Sequence, residues 1–149
     1  MAVLSWGKPK VEIGKVTVNG DAPTTWTALP DIVQNTAKLN TEQGNKTEAI
    51  AEGGGIVDTR VDKSKYTLEL ELFVKKGDTK PIADEDGIIT DNYAVRLTPE
   101  DKETTGFIMD KTNVSCMETW SSADGGRWKY TFAGLLPKAG TILKPFVSG

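Results

Sequence analysis

Histidine is absent from the 149-residue sequence, and Cys116 is its only cysteine. The first absence removes the commonest general base and the commonest transition-metal ligand of proteins. The second excludes an intrachain disulfide framework, and we interpret Cys116 as a small buried strand residue rather than a reactive thiol. An enzyme built from this chain would have to work with carboxylates. We therefore expect no catalytic site, no bound metal ion and no cofactor.

The sequence also lacks an excess of basic residues and lacks long apolar runs. Its formal net charge is −3 and its isoelectric point is about 5.1, which does not favour a surface that binds nucleic-acid phosphates. No stretch reaches the roughly 18 consecutive apolar residues that a membrane span requires. The first residues show no basic segment followed by an apolar one, so we expect a protein that is made in the cytoplasm and has no membrane partner.

What the sequence does contain is apolar alternation with a period of two, which is typical of β-strands. The clearest example is the segment 66–74, YTLELELFV. Glu69 and Glu71 fall on one face, where they would lie ~7 Å apart and repel each other, so we expect this face to be exposed to water. A general acid and base pair is the catalytic reading of these glutamates, and no partner residue supports it. The opposite face is predicted to be buried and consists of Tyr66, Leu68, Leu70, Leu72 and Val74.

Other segments predict further strands and one short helix. A first strand region runs from Val11 to Val18 with a bulge at Gly14, and the Asn-Gly dipeptide that follows predicts a turn. Residues 91–98 alternate as well. The motif TPED at 98–101 has a capping threonine, a proline at the first helical position and an acid three residues after the cap, which predicts a short helix.

A β-hairpin is predicted near the carboxyl terminus. The segments 114–120 and 127–132 both alternate, and the Asp124-Gly125 dipeptide between them is a strong turn signal. In the second segment Arg127, Lys129 and Thr131 share the face opposite to Trp128, Tyr130 and Phe132, which we place in the core. The whole chain, 1–149, is thus predicted to be one mainly β domain, a β-sandwich or barrel of six to eight antiparallel strands with one short flanking helix.

A long polar stretch interrupts this pattern. Residues 35–52 are rich in Thr, Asn, Lys and Glu and end on Gly53-Gly54-Gly55. The glycine run does not match a phosphate-binding loop, because no Lys-Ser or Lys-Thr follows it. We predict that residues 35–62 form a long projecting loop or hairpin, here called the arm. The acidic run at 84–87 does not have the ligand spacing of a calcium-binding loop, and we interpret it as a solvated turn.

The order of these elements resembles that of the tail tube (major tail) proteins of tailed bacteriophages. The resemblance covers most of residues 8–140: a short first strand, a long polar loop running into EGGGIVDTRVDKSKYTLELELFV, then VRLTPED and a final DGGRWKYTFAGLLPKAG. The inner-tube proteins of contractile tails and of type VI secretion share that fold. The resemblance implies a β-sandwich with a flanking helix, assembled into hexameric rings that stack into a hollow tube.

The resemblance also implies a function and partners. The chain would be a structural subunit that binds further copies of itself and other tail proteins. The family's lumen is typically acidic, so Glu69 and Glu71 would line a channel through which DNA passes without specific binding. Arg127 and Lys129 would then lie outside the channel or at a subunit interface. The implied location is the virion tail, after synthesis in the host bacterial cytoplasm.

The arm would reach an adjacent subunit or ring, as the corresponding long loop of the family does. The sequence leaves open whether the tube belongs to a phage, a prophage remnant or an injection device, and whether the tail is contractile. The candidate inter-subunit residues are Asn40, Thr41, Glu42, Asn45, Lys46, Gly53, Gly54 and Gly55.

The alternative function is a carbohydrate- or partner-binding β-sandwich module. It rests on four tryptophans, which could form a platform for sugar rings. We favour core positions for Trp120 and Trp128, since both flank the predicted hairpin. The other two tryptophans are Trp6 and Trp26.

Overall fold

Ten β-strands make up the regular structure in a computed structural model that describes residues 4, 6–17 and 19–147. No helix occurs among those residues, and none that could cross a membrane. The prediction of a mainly β protein with antiparallel strands is confirmed. The strands are β1 (Lys10–Lys15), β2 (Thr27–Ala28), β3 (Lys38–Glu42), β4 (Lys46–Ile50), β5 (Ile56–Val61), β6 (Lys65–Phe73), β7 (Ile88–Thr98), β8 (Gly106–Ser121), β9 (Gly125–Gly134) and β10 (Lys144–Phe146).

Eight of the strands form one antiparallel sheet, and β4 and β5 form a separate two-stranded sheet. Seven strands of the large sheet follow the order β2-β1-β7-β8-β9-β6-β3, while β10 pairs with the start of β8. The strands at the two ends, β2 and β3, do not pair with each other. The sheet is therefore not closed into a barrel, which was one of the two predicted architectures.

The core lies on one face of this sheet and follows the predicted alternation. Leu68, Leu70 and Leu72 of β6 are fully buried, and so is Phe132 of β9. The same core cluster includes Val11 and Ile13 of β1, although three strands separate β1 from β6 in the sheet. The sheet must therefore curl around the core, which gives a sandwich-like packing. Full burial of each large apolar side chain contributes ~1.5–3 kcal/mol.

The short helix predicted at residues 98–101 is not present. Strand β7 continues through Thr98, and the chain then turns back into β8 at Gly106. Within the turn, the backbone N–H of Thr104 donates to the carbonyl of Asp101 at 3.0 Å. The N–H of Glu103 donates to the Asp101 carboxylate at 3.1 Å. The predicted cap, Thr98, is the last residue of β7 and is paired in the sheet. The polar residues that follow it therefore stabilise a turn and not a helix.

The first strand region differs from the prediction in its end and in its geometry. Strand β1 ends at Lys15, and Val18 lies outside the described residues. The bulge predicted at Gly14 is wrong, since β1 and β7 stay in register on both sides of that residue. A β carbon on Gly14 would stand 2.6 Å from the side chain of Pro23. The glycine is there because a loop packs directly on the backbone of β1.

The hairpin prediction near the carboxyl terminus is confirmed by β8 and β9. Their register runs from Thr112↔Gly134 to Ser121↔Gly125, and Gly125 has the positive φ of 77° that the turn requires. The chain has more strands than the six to eight predicted for two reasons. Strands β2 and β10 are too short to show alternation, and the predicted arm itself contains β3, β4 and β5.

Candidate assembly surfaces

The β4–β5 hairpin projects from the body of the protein. Every residue from 45 to 63 is exposed. Its turn uses Gly53 and Gly54 at φ values of 92° and 93°, and the N–H of Ala51 donates to the carbonyl of Gly55 at 2.8 Å. The glycine run is thus the tip of a hairpin, because only glycine takes two successive positive φ angles without strain.

The structure divides the candidate arm residues between two places. Asn45 and Lys46 begin the hairpin, and Gly53, Gly54 and Gly55 form its turn. The other three belong to β3, the edge strand of the large sheet, where they pair with β6. These are Asn40, Thr41 and Glu42.

The large apolar side chains of the hairpin lie on one face, which they share with Lys46, Glu48 and Thr59. Cross-strand partners share a face, and the register pairs Lys46 with Val61, Glu48 with Thr59 and, after a bulge, Ile50 with Ile56. The opposite face carries only small or polar side chains. The apolar residues, which we call the hairpin face, are 52–73% exposed and consist of Ile50, Ile56, Val57 and Val61.

An isolated two-stranded hairpin is marginally stable in water. This one also exposes four large apolar side chains without covering them with another element. Contiguous exposed apolar patches mark interaction sites in proteins. The hairpin face therefore has the properties of a protein-interaction surface.

A second surface is the solvent side of β3, β6, β9 and β8, which we call the outer face. Glu69 and Glu71 lie on it, and both are half-buried because strands flank them on each side. Across the strands, Glu69 faces Lys38, and Glu71 faces Lys129. The prediction that Arg127 and Lys129 lie on another surface than the glutamates is wrong. Strand β9 is the direct neighbour of β6, so the two sets of side chains share a face.

The rest of the outer face is mostly neutral and polar. Six residues with hydroxyl or amide side chains lie between the charges, and two large apolar side chains, Phe73 and Met117, are 37% and 60% exposed. The surface thus alternates in charge instead of being acidic. Its neutral polar residues are Asn40, Thr67, Asn113, Ser115, Thr119 and Thr131.

A third surface lies at the far end of the β8–β9 hairpin. Trp120 is 75% exposed and Val74 is 42% exposed, so the predictions that both are buried are wrong. Both side chains have the inward direction of their strands, but β6 and β8 extend beyond the core at this end. They flank the backbone of Gly126, whose carbonyl accepts a hydrogen bond from the N–H of Val74 at 3.2 Å. We call Val74, Trp120 and Gly126 the tip patch.

The tryptophans do not form a common platform. Trp128 is buried in the core, and the ring of Trp26 lies 4.2 Å from the guanidinium of Arg96. Arg96 pairs with Ile108 of β8, and Ile108 precedes Trp120 by 12 positions in the same strand. Trp26 and Trp120 are therefore separated by roughly 40 Å along β8. The feature that favoured a carbohydrate-binding module is therefore not assembled in this fold.

The acidic run at 84–87 belongs to a loop that closes one end of the core. Lys80 pairs with Asp84 at 2.6 Å and also with Glu118 of β8. The Tyr130 hydroxyl donates to the Ile82 carbonyl at 2.8 Å, and Ile82 is buried. Cys116 is buried nearby, and burial raises the pKa of its thiol, as expected for a structural cysteine. No group of three or more possible metal ligands occurs among the residues described.

Asp84 makes this loop sensitive to acid. The hydrogen bond from Lys80 and that from the Gly87 N–H hold the pKa of Asp84 below its ordinary value. A carboxylate with a lowered folded-state pKa adds stability above its unfolded pKa and loses it as the pH falls through the folded value. Asp84→Asn should therefore lower the free energy of unfolding by about 1–3 kcal/mol at pH 7, and by progressively less below about pH 4.

Urea denaturation of both proteins across a pH series measures this difference. Glu85→Gln, an exposed neighbour in the same loop, is the matched control and should change the free energy of unfolding little at any pH. A difference between Asp84→Asn and wild type that stays constant from pH 7 to pH 2 would contradict the assignment to the carboxylate charge.

Comparison with known proteins gives a likeness of structure. No protein-family model matches the chain, and no curated protein matches it. Among solved structures it is similar to a chain in the cryo-EM structure of an extracellular contractile injection system, described as the PVC sheath/tube terminator in the extended state. The match covers 97% of this chain and 96% of that chain, with a TM-score of 0.51 and 12% sequence identity. The two chains share a fold over nearly their whole length.

Proposed function

We propose that this protein is a non-catalytic structural subunit of a phage tail or tail-like injection particle, and that it assembles with copies of itself into rings around a channel. The observation that carries the proposal is the projecting hairpin, whose four large apolar side chains are uncovered. In a monomer, such an exposed apolar surface lowers solubility. In an assembly, a neighbouring subunit can bury it. The fold shared with a sheath/tube terminator supports the same class of function.

Ring formation by this chain would use both the hairpin and the sheet edge. Strand β3 is an edge strand of five residues, and no strand among the described residues pairs with its outer side. Unpaired edges invite pairing with another chain. We propose six copies per ring, stacked into a tube, with other tail proteins at its ends and the finished particle as its location.

The outer face is the surface we propose for the channel wall. It is broad and wet, and its charges alternate between Glu69, Glu71, Lys38 and Lys129. The glutamates of such a wall repel the DNA phosphates and the lysines attract them, and both effects are screened within about 10 Å. Neither effect therefore dominates along the channel. DNA would pass along such a wall without being held at one place.

Negative-stain electron microscopy of the concentrated protein tests the assembly directly. Rings with a central hole, alone or stacked into tubes, are the expected result. Separate rings that do not stack would favour a terminator role over a tube role. A protein that stays monomeric at high concentration would contradict the proposal, and sedimentation velocity of the same sample detects that outcome.

The channel wall is tested by reversing its acidic charges. Glu69→Lys/Glu71→Lys should still fold: like charges opposite Lys38 and Lys129 cost roughly 0.2–1 kcal/mol per pair, which is small against the roughly 5–15 kcal/mol of a typical domain. Its assemblies should retain DNA at low salt and release it as salt rises, since added lysines next to Lys38 and Lys129 create phosphate contacts. Filter retention of labelled DNA across a salt series measures this.

The matched control for this variant is Glu85→Lys/Glu103→Lys, which makes the same change in net charge at two exposed loop residues. It should retain no more DNA than wild type. Equal retention by the two variants would show that net charge alone acts and would remove Glu69 and Glu71 from the channel wall.

A further inference from the structure

Two apolar surfaces lie at opposite ends of β6. The hairpin face precedes β6, because β5 ends at Val61 and β6 begins at Lys65. The tip patch follows it, because Val74 comes directly after the last residue of β6. Strand β6 has nine residues, so the two surfaces are separated by about 30 Å of extended chain. This distance and the direction of the strand place them at different ends of the subunit.

The two surfaces differ in shape. The hairpin face consists of β-branched side chains that stand out from a pleated strand pair, with the Glu48–Thr59 pair between Val61 and the two isoleucines. The tip patch is flat instead: a β carbon on Gly126 would already meet Val74 at 3.2 Å and Trp120 at 3.7 Å, so these two side chains close over the glycine. The side chains of the hairpin face can therefore lie across the exposed Val74 and Trp120, without inserting between them.

The two surfaces also differ in charge. The hairpin turn carries Glu52, next to its three glycines. Beside the tip patch, Lys75 is already paired with Asp31 at 2.8 Å, and the exposed Lys76 follows it. Opposite charges at the rim of an apolar contact favour one orientation over others.

We propose that the hairpin face of one copy packs on the tip patch of the next copy, in a head-to-tail contact. This inference rests on the proposed self-assembly and names the partner surface of the hairpin. Because the two surfaces are different, the contact is heterologous. It leads to a closed ring if the rotation between copies closes, and to a continuing stack if it does not.

Mixed disulfide formation tests the contact. Val57→Cys and Val74→Cys are prepared as separate proteins, mixed, and treated with oxidised glutathione. A disulfide-linked dimer containing one copy of each variant is the expected product. The native Cys116 is buried and should not interfere. The control mixture pairs Val57→Cys with Leu136→Cys, whose side chain is also exposed, and should give no linked dimer.

Substitution of the tip patch tests its energetic role. Trp120→Ala should weaken self-association by about 30-fold or more, because a tryptophan at the centre of an interface is a typical hot spot. Trp6→Ala removes a tryptophan of similar exposure, 69% against 75%, and should associate as wild type does. Sedimentation velocity over a range of concentrations measures both.

The outcomes separate this contact from the proposed function. Rings in the electron microscope without a mixed disulfide, or with unchanged association of Trp120→Ala, would overturn the contact and leave the ring proposal intact. A mixed disulfide without rings or tubes would support the contact and overturn the ring. Equal linking in the control mixture would also overturn the contact, because it would reflect random collision.

Discussion

Ile50→Thr/Val57→Thr is expected to abolish assembly at concentrations where the wild-type protein is assembled, while the body of the subunit stays folded. Both side chains lie on the hairpin face and are 63% and 73% exposed. Losing their burial in an interface removes about 2–4 kcal/mol of association free energy, which corresponds to roughly 30- to 700-fold weaker self-association. Folding should be unaffected, because neither residue contributes to the core.

The control for this variant is Leu136→Thr/Val147→Thr. These residues are 60% and 52% exposed and lie near the carboxyl terminus, so the change removes similar apolar area elsewhere. Sedimentation velocity measures association, and circular dichroism checks that both variants remain β-structured. Assembly of the hairpin variant at wild-type concentration, or loss of assembly in both variants, would contradict a specific role of the hairpin face.

Phe132→Ala is expected to cause the largest loss of stability. Phe132 is fully buried on β9, between β8 and β6, and its ring lies 6.4 Å from that of Tyr130. Truncating a buried phenylalanine costs about 3–5 kcal/mol, a large part of the 5–15 kcal/mol that typical domains possess. The expected result is a marginally stable protein at room temperature.

Urea denaturation at low protein concentration measures this loss, because assembly would add apparent stability. Met117→Ala is the control: it truncates a side chain of the same sheet that is 60% exposed and should cost less than about 0.5 kcal/mol. A cost below about 1 kcal/mol for Phe132→Ala would show that the core can rearrange around the cavity.

The features that were predictable from the sequence are those with a local signal. Alternation identified β6 and the inward faces of β6 and β9, and the Asp124-Gly125 dipeptide located the turn between β8 and β9. Each signal is contained in a few neighbouring residues. A buried strand face also tolerates no slip in register, which makes the pattern strict.

The features that were not predictable depend on which strands become neighbours. Lys129 faces Glu71 only because β9 lies beside β6, and nothing in either segment encodes that pairing. Trp120 and Val74 continue an inward alternation and are nonetheless exposed, since the core ends before their strands do. The Thr98 capping signal failed because a strand of 11 residues passes through it.

The order of strands in the large sheet has a consequence for how the chain folds during synthesis. Strand β6 pairs with β9 across about 60 positions, and β1 pairs with β7 across about 80. At about 5–20 residues per second, β6 waits several seconds for its partner. The β4–β5 pairing is local, and hairpins form in microseconds. The β4–β5 hairpin, which is proposed to join one subunit to another, can therefore form while the chain is still on the ribosome. At that stage β9 has not been made, and the core of the subunit has not formed.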